Sequence, residues 1–427
     1  MSNLETYTHP SGLQFYVDHL AHANTTGVSI FVGVGNANER ETEGGLNHII
    51  EHGTHLGSPI FPTEAEAAEY CDMHMFWANA EAGYTRTLYQ ADGPDLESIF
   101  HYFGQIVARP LLDSQRLSDH LGVVRREAKA HLDDLDYVIA RMRDRQLFND
   151  PFGRPIIGLS NKLHFAPEEI IDFHKRHYAL GNMAVVAAGA ATLEEVTTLA
   201  QRYLIDSPLA ENQLGDVFRP TAETRPAGAF GLLRESSPNA VISVSHPLPA
   251  GLRDAYSDNP TAYVIASRIL GEEIYHIIRE ERQLAYDAGY GIRVYNHPDA
   301  WWAGTDVNCD PERVGEVLQV FGEVMGRGVD SFGNNKKQAK INAMIGAVLR
   351  SMNDQDSRLD SMITRLERYK IPLDMDDVAA RYRNVSLREV DTALGQLLSA
   401  YQQIERTIFI TGNNTAVRGL DHVKVDL

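Results

Sequence analysis

The stretch GGLNHIIEHGTHLGS, residues 44–58, sets His48, Glu51, His52 and His55 within eight positions of an otherwise apolar run. Imidazoles and a carboxylate at that density suit either a solvated helix face or a metal site. On a helix, His48 and His52 stand at i and i+4, so both project from one face about one turn apart. Two imidazoles so placed can hold one zinc ion at about 2.0–2.1 Å. Glu51 precedes the second histidine, and from there its carboxylate reaches a water in an open coordination position. The order His-x-x-Glu-His inverts the commoner zinc-hydrolase pattern. The chemistry it points to is metal-assisted hydrolysis with Glu51 as base.

A catalytic zinc needs a third protein ligand and an open position. The charged stretch DHLGVVRREAKAHL offers Glu127, with His120 two turns before it and His131 one turn after. His55, two turns from His48, is a fourth candidate. Local chemistry leaves the choice among them open. Cysteine ligation is excluded, because Cys71 and Cys309 are far apart and are the only two in the chain. That cysteine usage fits a reducing compartment and predicts cytoplasmic residence. The N-terminal residues show no basic segment followed by an apolar one, and no apolar run is long enough for a membrane span, so no secretory signal and no membrane partner are expected. A formal charge of −19 repels phosphate backbones, which argues against nucleic acid and would attract basic peptides.

Elements that could position these residues follow from periodicity. GLQFYVDHL and GVSIFVGVG read as a strand hairpin, and a polar loop leads from it into the histidine-rich helix. AEAAEYCDMHMF reads as a helix and WANAEAGYTRTLYQAD as a strand pair. PDLESIFHYFGQIVARPLL is helical with Pro94 in its first turn, and a long amphipathic helical segment spans residues 114–147. MAVVAAGA is a buried strand, and Thr192 with Glu195 forms a capping box. Residues 207–228, rich in proline and polar residues, read as a linker. It separates a domain of residues 1–206, carrying the metal motif, from one of residues 229–427. The halves look alike: PDLESIFHYFGQIVARPLLDS resembles PERVGEVLQVFGEVMGRGVDS, with Phe103-Gly104 matching Phe321-Gly322. The expected fold is α+β, two similar duplicated domains, each a mostly antiparallel β-sheet covered by helices. The second copy has NPTAYVIASRILG where the first has HIIEH, so only one copy keeps metal chemistry.

The motif GGLNHIIEHGTHLGS resembles the signature of the pitrilysin/insulinase/mitochondrial-processing-peptidase family, the inverzincins. In that family a glutamate some 75 residues after the second histidine completes the zinc site, and Glu127 stands 75 residues after His52. The resemblance therefore implies His48, His52 and Glu127 as ligands of one zinc ion per chain. NAEAGYTRTLY, NDPFGRPIIG, FHKRHYALGNMAVVAAG and IIREERQLAYDAGY resemble further family segments, and together they cover nearly the whole chain. By that resemblance Asn79 and Ala80 offer a strand edge to an extended peptide, and Arg279 and Tyr286 bind substrate and stabilise the tetrahedral intermediate. Three positions depart from the family pattern: His120 stands where a supporting glutamate is usual, Asn47 where a small residue is usual, and His55 where an aromatic is usual.

The resemblance implies a half-size zinc endopeptidase that cleaves short or unfolded peptides inside a closed chamber. One chain supplies one half-shell, so a homodimer is expected, with a heteromeric partner as the alternative. The competing readings are a non-catalytic scaffold or assembly subunit of the same family and a metal-dependent hydrolase of another substrate. Retention of His48, Glu51, His52 and Glu127 argues against the scaffold.

Overall fold

The computed structural model describes residues 4–294, 300–369 and 375–423. Among them, β1 (Leu4–Thr8), β2 (Gln14–His19), β3 (Thr26–Val32), β4 (Trp77–Ala82), β5 (Thr87–Gly93) and β6 (Met183–Gly189) form one sheet in the order β1-β2-β6-β3-β5-β4. Only the β2–β6 pair is parallel. A second sheet contains β7 (Ala229–Leu233), β8 (Ala240–Pro247), β9 (Gly291–Val294), β10 (Trp301–Cys309), β11 (Thr407–Gly412) and β12 (Asp421–His422), in the order β12-β7-β11-β8-β10-β9. There β12–β7 and β7–β11 are parallel and the other pairs antiparallel. From β2 to β4 and from β7 to β9 the two orders coincide. Only the far edge differs: the first sheet takes that strand from the start of the chain, the second from its end. The duplicated, mostly antiparallel α+β fold is what the sequence predicts.

The expected hairpin is not formed. β2 and β3 flank β6 instead of pairing with each other, and the hairpin present is β1 with β2. All seven residues of β6 are buried, and a strand apolar on both faces belongs in the interior of a sheet. Alternation in β2 and β3 reveals which residues face a core but carries no information about which strand lies alongside.

The chain divides into two compact units that are not the contiguous halves expected. The first comprises Met1–Lys129, Pro155–Pro220 and Leu349–Val378, and the second comprises Ala130–Arg154, Thr221–Val348 and Ala379–Leu427. The charged segment at 114–147 is the first reason. It breaks after the helix Ser114–Ala130, and Asp134 caps a new helix, Leu135–Leu147, by accepting from the backbone N–H groups of Asp136 and Tyr137. That new helix covers the second sheet: Val138, Ile139 and Met142 pack with Leu232, Val241 and Phe409. The helix Gln355–Tyr369 does the reciprocal service. Its Leu359, Met362, Ile363 and Leu366 pack on Phe31, Leu88 and Val186 of the first sheet. Burial of each such side chain contributes about 1.5–3 kcal/mol. Arg358 fixes the placement with a bidentate pair to buried Asp18, at 2.7 and 3.0 Å. Alternation then turns the opposite face of each sheet to further helices: on the second sheet, Ile242 and Ile410 face the core built with Pro260–Tyr275 and Leu387–Gln403.

Candidate metal centre

The histidine motif forms the helix Leu46–His55. Its N-terminus is set by Gly45, whose φ of 96° suits a residue without Cβ; a Cβ there would meet Leu163 Cδ2 at 2.6 Å. Glu39 sits almost fully buried beside this terminus. Its carboxylate accepts from the Gly45 N–H at 3.0 Å, the Asn47 N–H at 2.7 Å and the Asn36 side-chain amide at 3.0 Å. Those bonds satisfy amides that have no partner within the helix and place a negative charge at its positive end. Leu46, Ile49, Ile50 and Gly53 form the buried stripe, so His48, Glu51, His52 and His55 share the other face. Asn47 is fully buried and accepts from the Thr87 hydroxyl at 3.0 Å, so the departure at this position serves packing behind the site.

The helix Ser114–Ala130 buries Leu117, Leu121, Val124 and Ala128. His120 and Glu127, seven positions apart, lie on a common face two turns from each other. Gly53 lets the two helices approach: a Cβ there would stand 3.2 Å from Leu117 Cδ2.

The side chains converge. His48 Nε2 and His52 Nε2 are 3.2 Å apart, His52 Nε2 is 3.2 Å from Glu127 Oε2, and His48 Nε2 is 3.9 Å from Glu127 Oε1. Bonds of about 2.0–2.1 Å to a tetrahedral zinc put ligand atoms about 3.3 Å apart. These three residues are the one group among the described residues with the donor set and spacing for a metal ion. His52 Nδ1 lies 3.0 Å from His120 Nε2. With Nε2 of His52 turned toward the ligand cluster, its proton belongs on Nδ1, donated to His120. An imidazole therefore stands in contact with His52 at the position where the pattern its motif resembles has a carboxylate. His131, the remaining candidate, stacks on Tyr137 in the second unit.

Glu51 Oε2 is 3.9 Å from His52 Nε2. Burial, reinforced by the charges of Glu127 and Glu81, pushes its carboxyl up to about 7. A carboxyl raised to that value is matched to proton transfer near neutral pH. His55 donates from Nδ1 to the Glu51 carbonyl oxygen at 3.0 Å, and burial holds its own pKa down.

Glu51, His52, His55 and His120 line one wall of a cleft of about 370 Å³. Asn79 and Ala80 line another, on β4. That strand pairs with β5 on one side and is the edge of its sheet on the other. The helix Glu64–Met73 closes the cleft with Glu64, Ala67, Cys71 and Asp72. Arg279 and Tyr286 lie together in the second unit, the Arg279 guanidinium 4.2 Å over the Tyr286 ring, and Tyr286 is 78% exposed. The sequence reading passed over Glu39, because it lies in a polar stretch read only as a loop. A carboxylate a few residues before an apolar helix start was the available signal.

A family profile described as Insulinase (Peptidase family M16) matches residues 14–159, and one described as Peptidase M16 inactive domain matches residues 164–333. A Mycobacterium leprae protein named as an uncharacterized zinc protease is 23% identical over 92% of this chain and 88% of its own length. The fold matches a Pseudomonas fluorescens structure titled peptidase M16 inactive domain, with TM-score 0.81, 12% identity and coverage of 99% and 100% of the two chains. It also matches a protease from Helicobacter pylori, with TM-score 0.80, 14% identity and coverage of 96% and 99%. The chain belongs to the M16 peptidase family, the insulinase and pitrilysin group its motifs resemble.

Proposed function

We propose that the protein is a zinc-dependent endopeptidase acting on extended peptides. The observation that supports this most is the convergence of His48, His52 and Glu127, at spacings that suit one tetrahedral ion, beside a cleft walled by Glu51 and a free strand edge. Zinc held there supplies a Lewis acid that makes water nucleophilic near neutral pH and polarises a carbonyl. Glu51 takes the proton of the attacking water and returns it to the leaving amine. His120 holds the His52 ring in the ligating tautomer. A peptide adds along β4 through main-chain hydrogen bonds, with Asn79 and Ala80 at the cut. Arg279 and Tyr286 are assigned to substrate binding and to the developing oxyanion. Because one chain carries both sets of residues, a homodimer is the proposed assembly, and a heterodimer is the other outcome a mass measurement in solution could give. Two free, buried cysteines support residence in the cytoplasm.

Glu51→Gln tests the reading. The variant is expected to keep one zinc per chain and to lose cleavage of quenched-fluorescent peptides by about 10²–10⁴-fold. Undiminished turnover in Glu51→Gln removes the proposed base. Zinc-loaded wild type that cuts no peptide favours the scaffold reading.

A further inference from the structure

We propose that Tyr89, backed by Tyr178, is a positioning residue that sets Glu51 against a peptide lying along β4; the inference rests on the peptidase reading above. The base is gripped through its backbone. The Glu51 carbonyl oxygen accepts from the Thr54 hydroxyl at 2.8 Å and from His55 Nδ1 at 3.0 Å. A helical threonine commonly turns its hydroxyl back onto its own helix, but here both donors also rest on one side chain. The Tyr89 hydroxyl lies 3.4 Å from Thr54 Oγ1, and the His55 ring stacks on the Tyr89 ring at 6.0 Å between centroids. Tyr89, Tyr178 and Thr54 are fully buried, and the two phenol oxygens are 2.8 Å apart.

Donor bookkeeping orders the chain. Thr54 has one hydroxyl proton, and the Glu51 carbonyl takes it. Tyr89 must then donate toward Thr54 Oγ1, and Tyr178 toward Tyr89. Burial, with the Glu51 charge adding to it, raises the pKa of both phenols, so neither proton is given up. Behind them the His174 ring stacks on Tyr178. The backbone of Tyr89 supplies the other half. In register it stands between Ile30 of β3 and Ala80 of β4, so this residue is held in the interior of the sheet. Directly paired residues share a face of the sheet, and Ala80 is where the peptide is assigned to lie. One residue therefore ties the strand that receives the peptide to the turn that carries the base. Glu51 needs such a tie, since its carboxyl is buried beside the like charges of Glu127 and Glu81. A misplacement of about 1 Å at a reacting group can cost about 10²-fold in rate.

Removing the tie is expected to act on kcat alone. Tyr89→Phe and Thr54→Val should each keep one zinc per chain, leave KM for a quenched-fluorescent peptide within about twofold and lower kcat by about tenfold or more. Thr54→Ser should restore most of the loss. The double variant should be no slower than the slower single variant, since both act through one chain of contacts. Added to Glu51→Gln, either substitution should cost nothing further, because the group it positions is already gone. A kcat equal to wild type in both single variants, or an undiminished further loss on top of Glu51→Gln, overturns the assignment. A second arm needs neither zinc nor turnover. Hydrogen exchange of the metal-free protein should run about tenfold faster across residues 50–56 in both single variants, and at the wild-type rate in Thr54→Ser. Unchanged exchange there overturns the tie even if kcat falls. Faster exchange together with a zinc-loaded wild type that cuts no peptide sinks the peptidase reading and leaves the tie to this turn standing.

Discussion

The two units share a sheet order and differ in what fills the space between corresponding strands. Between β3 and β4 the first unit places a helix with one buried stripe and a polar face, and that face carries His48, Glu51 and His52. Between β8 and β9 the second places Pro260–Tyr275, in which ten of sixteen residues are buried nearly all round. The next helices along follow suit. Ser114–Ala130 brings Glu127 to the ligand cluster, whereas Asn334–Ser351 buries Lys337 and pairs it with Asp391 at 2.6 Å, while Lys336 pairs with Glu273 at 3.0 Å. In one copy lysines of the helix pair with carboxylates of neighbouring helices; in the other a carboxylate, Glu127, faces His48 and His52. The fold is common to both, and the copies differ in which side chains their corresponding helices present.

Breaking the comparison begins with those two helices. Asp391→Ala strands Lys337, which is 1% exposed, and should lower stability by roughly 3–5 kcal/mol in urea titrations of the metal-free protein. Glu127→Ala, at the corresponding helix of the first unit, should cost the metal-free fold little, since its carboxylate is partly exposed and repels Glu51. It should instead reduce zinc from one ion per chain to nearly none in metal analysis after dialysis. If Glu127→Ala unfolds the metal-free protein as strongly as Asp391→Ala does, the division between a chemical and a structural copy fails.

Much of this contrast was legible in the sequence, and the reasons for the remainder are physical. Histidine at i and i+4 is a local signal and survives any tertiary context, so the ligand helix could be read directly. Glu127, by contrast, could not be chosen over His120 or His131 from residue types; its selection came from family spacing, and only packing of Leu117 and Leu121 explains why it faces the histidines. The halves were recognisable because Phe103-Gly104 and Phe321-Gly322 fall in helices that follow corresponding strands. The exchange of Leu135–Leu147 and Gln355–Tyr369 between halves left no trace, because an amphipathic stripe such as Leu359, Met362, Ile363 and Leu366 does not encode which sheet it will cover. Strand neighbours escaped for the same reason, as β6 between β2 and β3 shows.

A smaller effect sharpens the first unit's side of the contrast. Glu51 has its carboxyl raised from an ordinary 4.5 to about 7. A raised value means that the folded protein binds the proton more tightly than the unfolded chain does. The associated stability is complete below about pH 4.5 and is lost as pH rises through about 7. Metal-free Glu51→Gln should therefore exceed metal-free wild type in stability by on the order of 3 kcal/mol at pH 8. The gap should close at pH 4, and also at pH 8 once zinc is added, since a cation beside Glu51 stabilises its charged form. Parallel urea titrations at both pH values, with and without zinc, check this; a gap that persists at pH 4 assigns the effect to packing.

The smallest expected effect asks which unit gives way first in acid. Each holds histidines that burial keeps neutral: His174 and His177 in the first, pushed down to about 3 and about 4, and His246 in the second, pushed down to about 4. His174 stacks on Tyr178, and His246 Nε2 lies 3.3 Å from the Tyr290 hydroxyl. Here the shift runs downward, so the stability is present above the ordinary value of 6.5 and drains away as pH falls toward the folded value. By pH 6 each should already contribute a loss of about 1 kcal/mol relative to pH 8. His174→Phe and His246→Phe should each remove its own share of that slope from the unfolding free energy of the metal-free protein. If the units unfold together, the two substitutions protect equally between pH 8 and pH 6. If they unfold separately, only the substitution in the unit that yields first moves the acid midpoint, and near-ultraviolet circular dichroism distinguishes the two, because all three tryptophans are Trp77 in the first unit and Trp301 and Trp302 in the second.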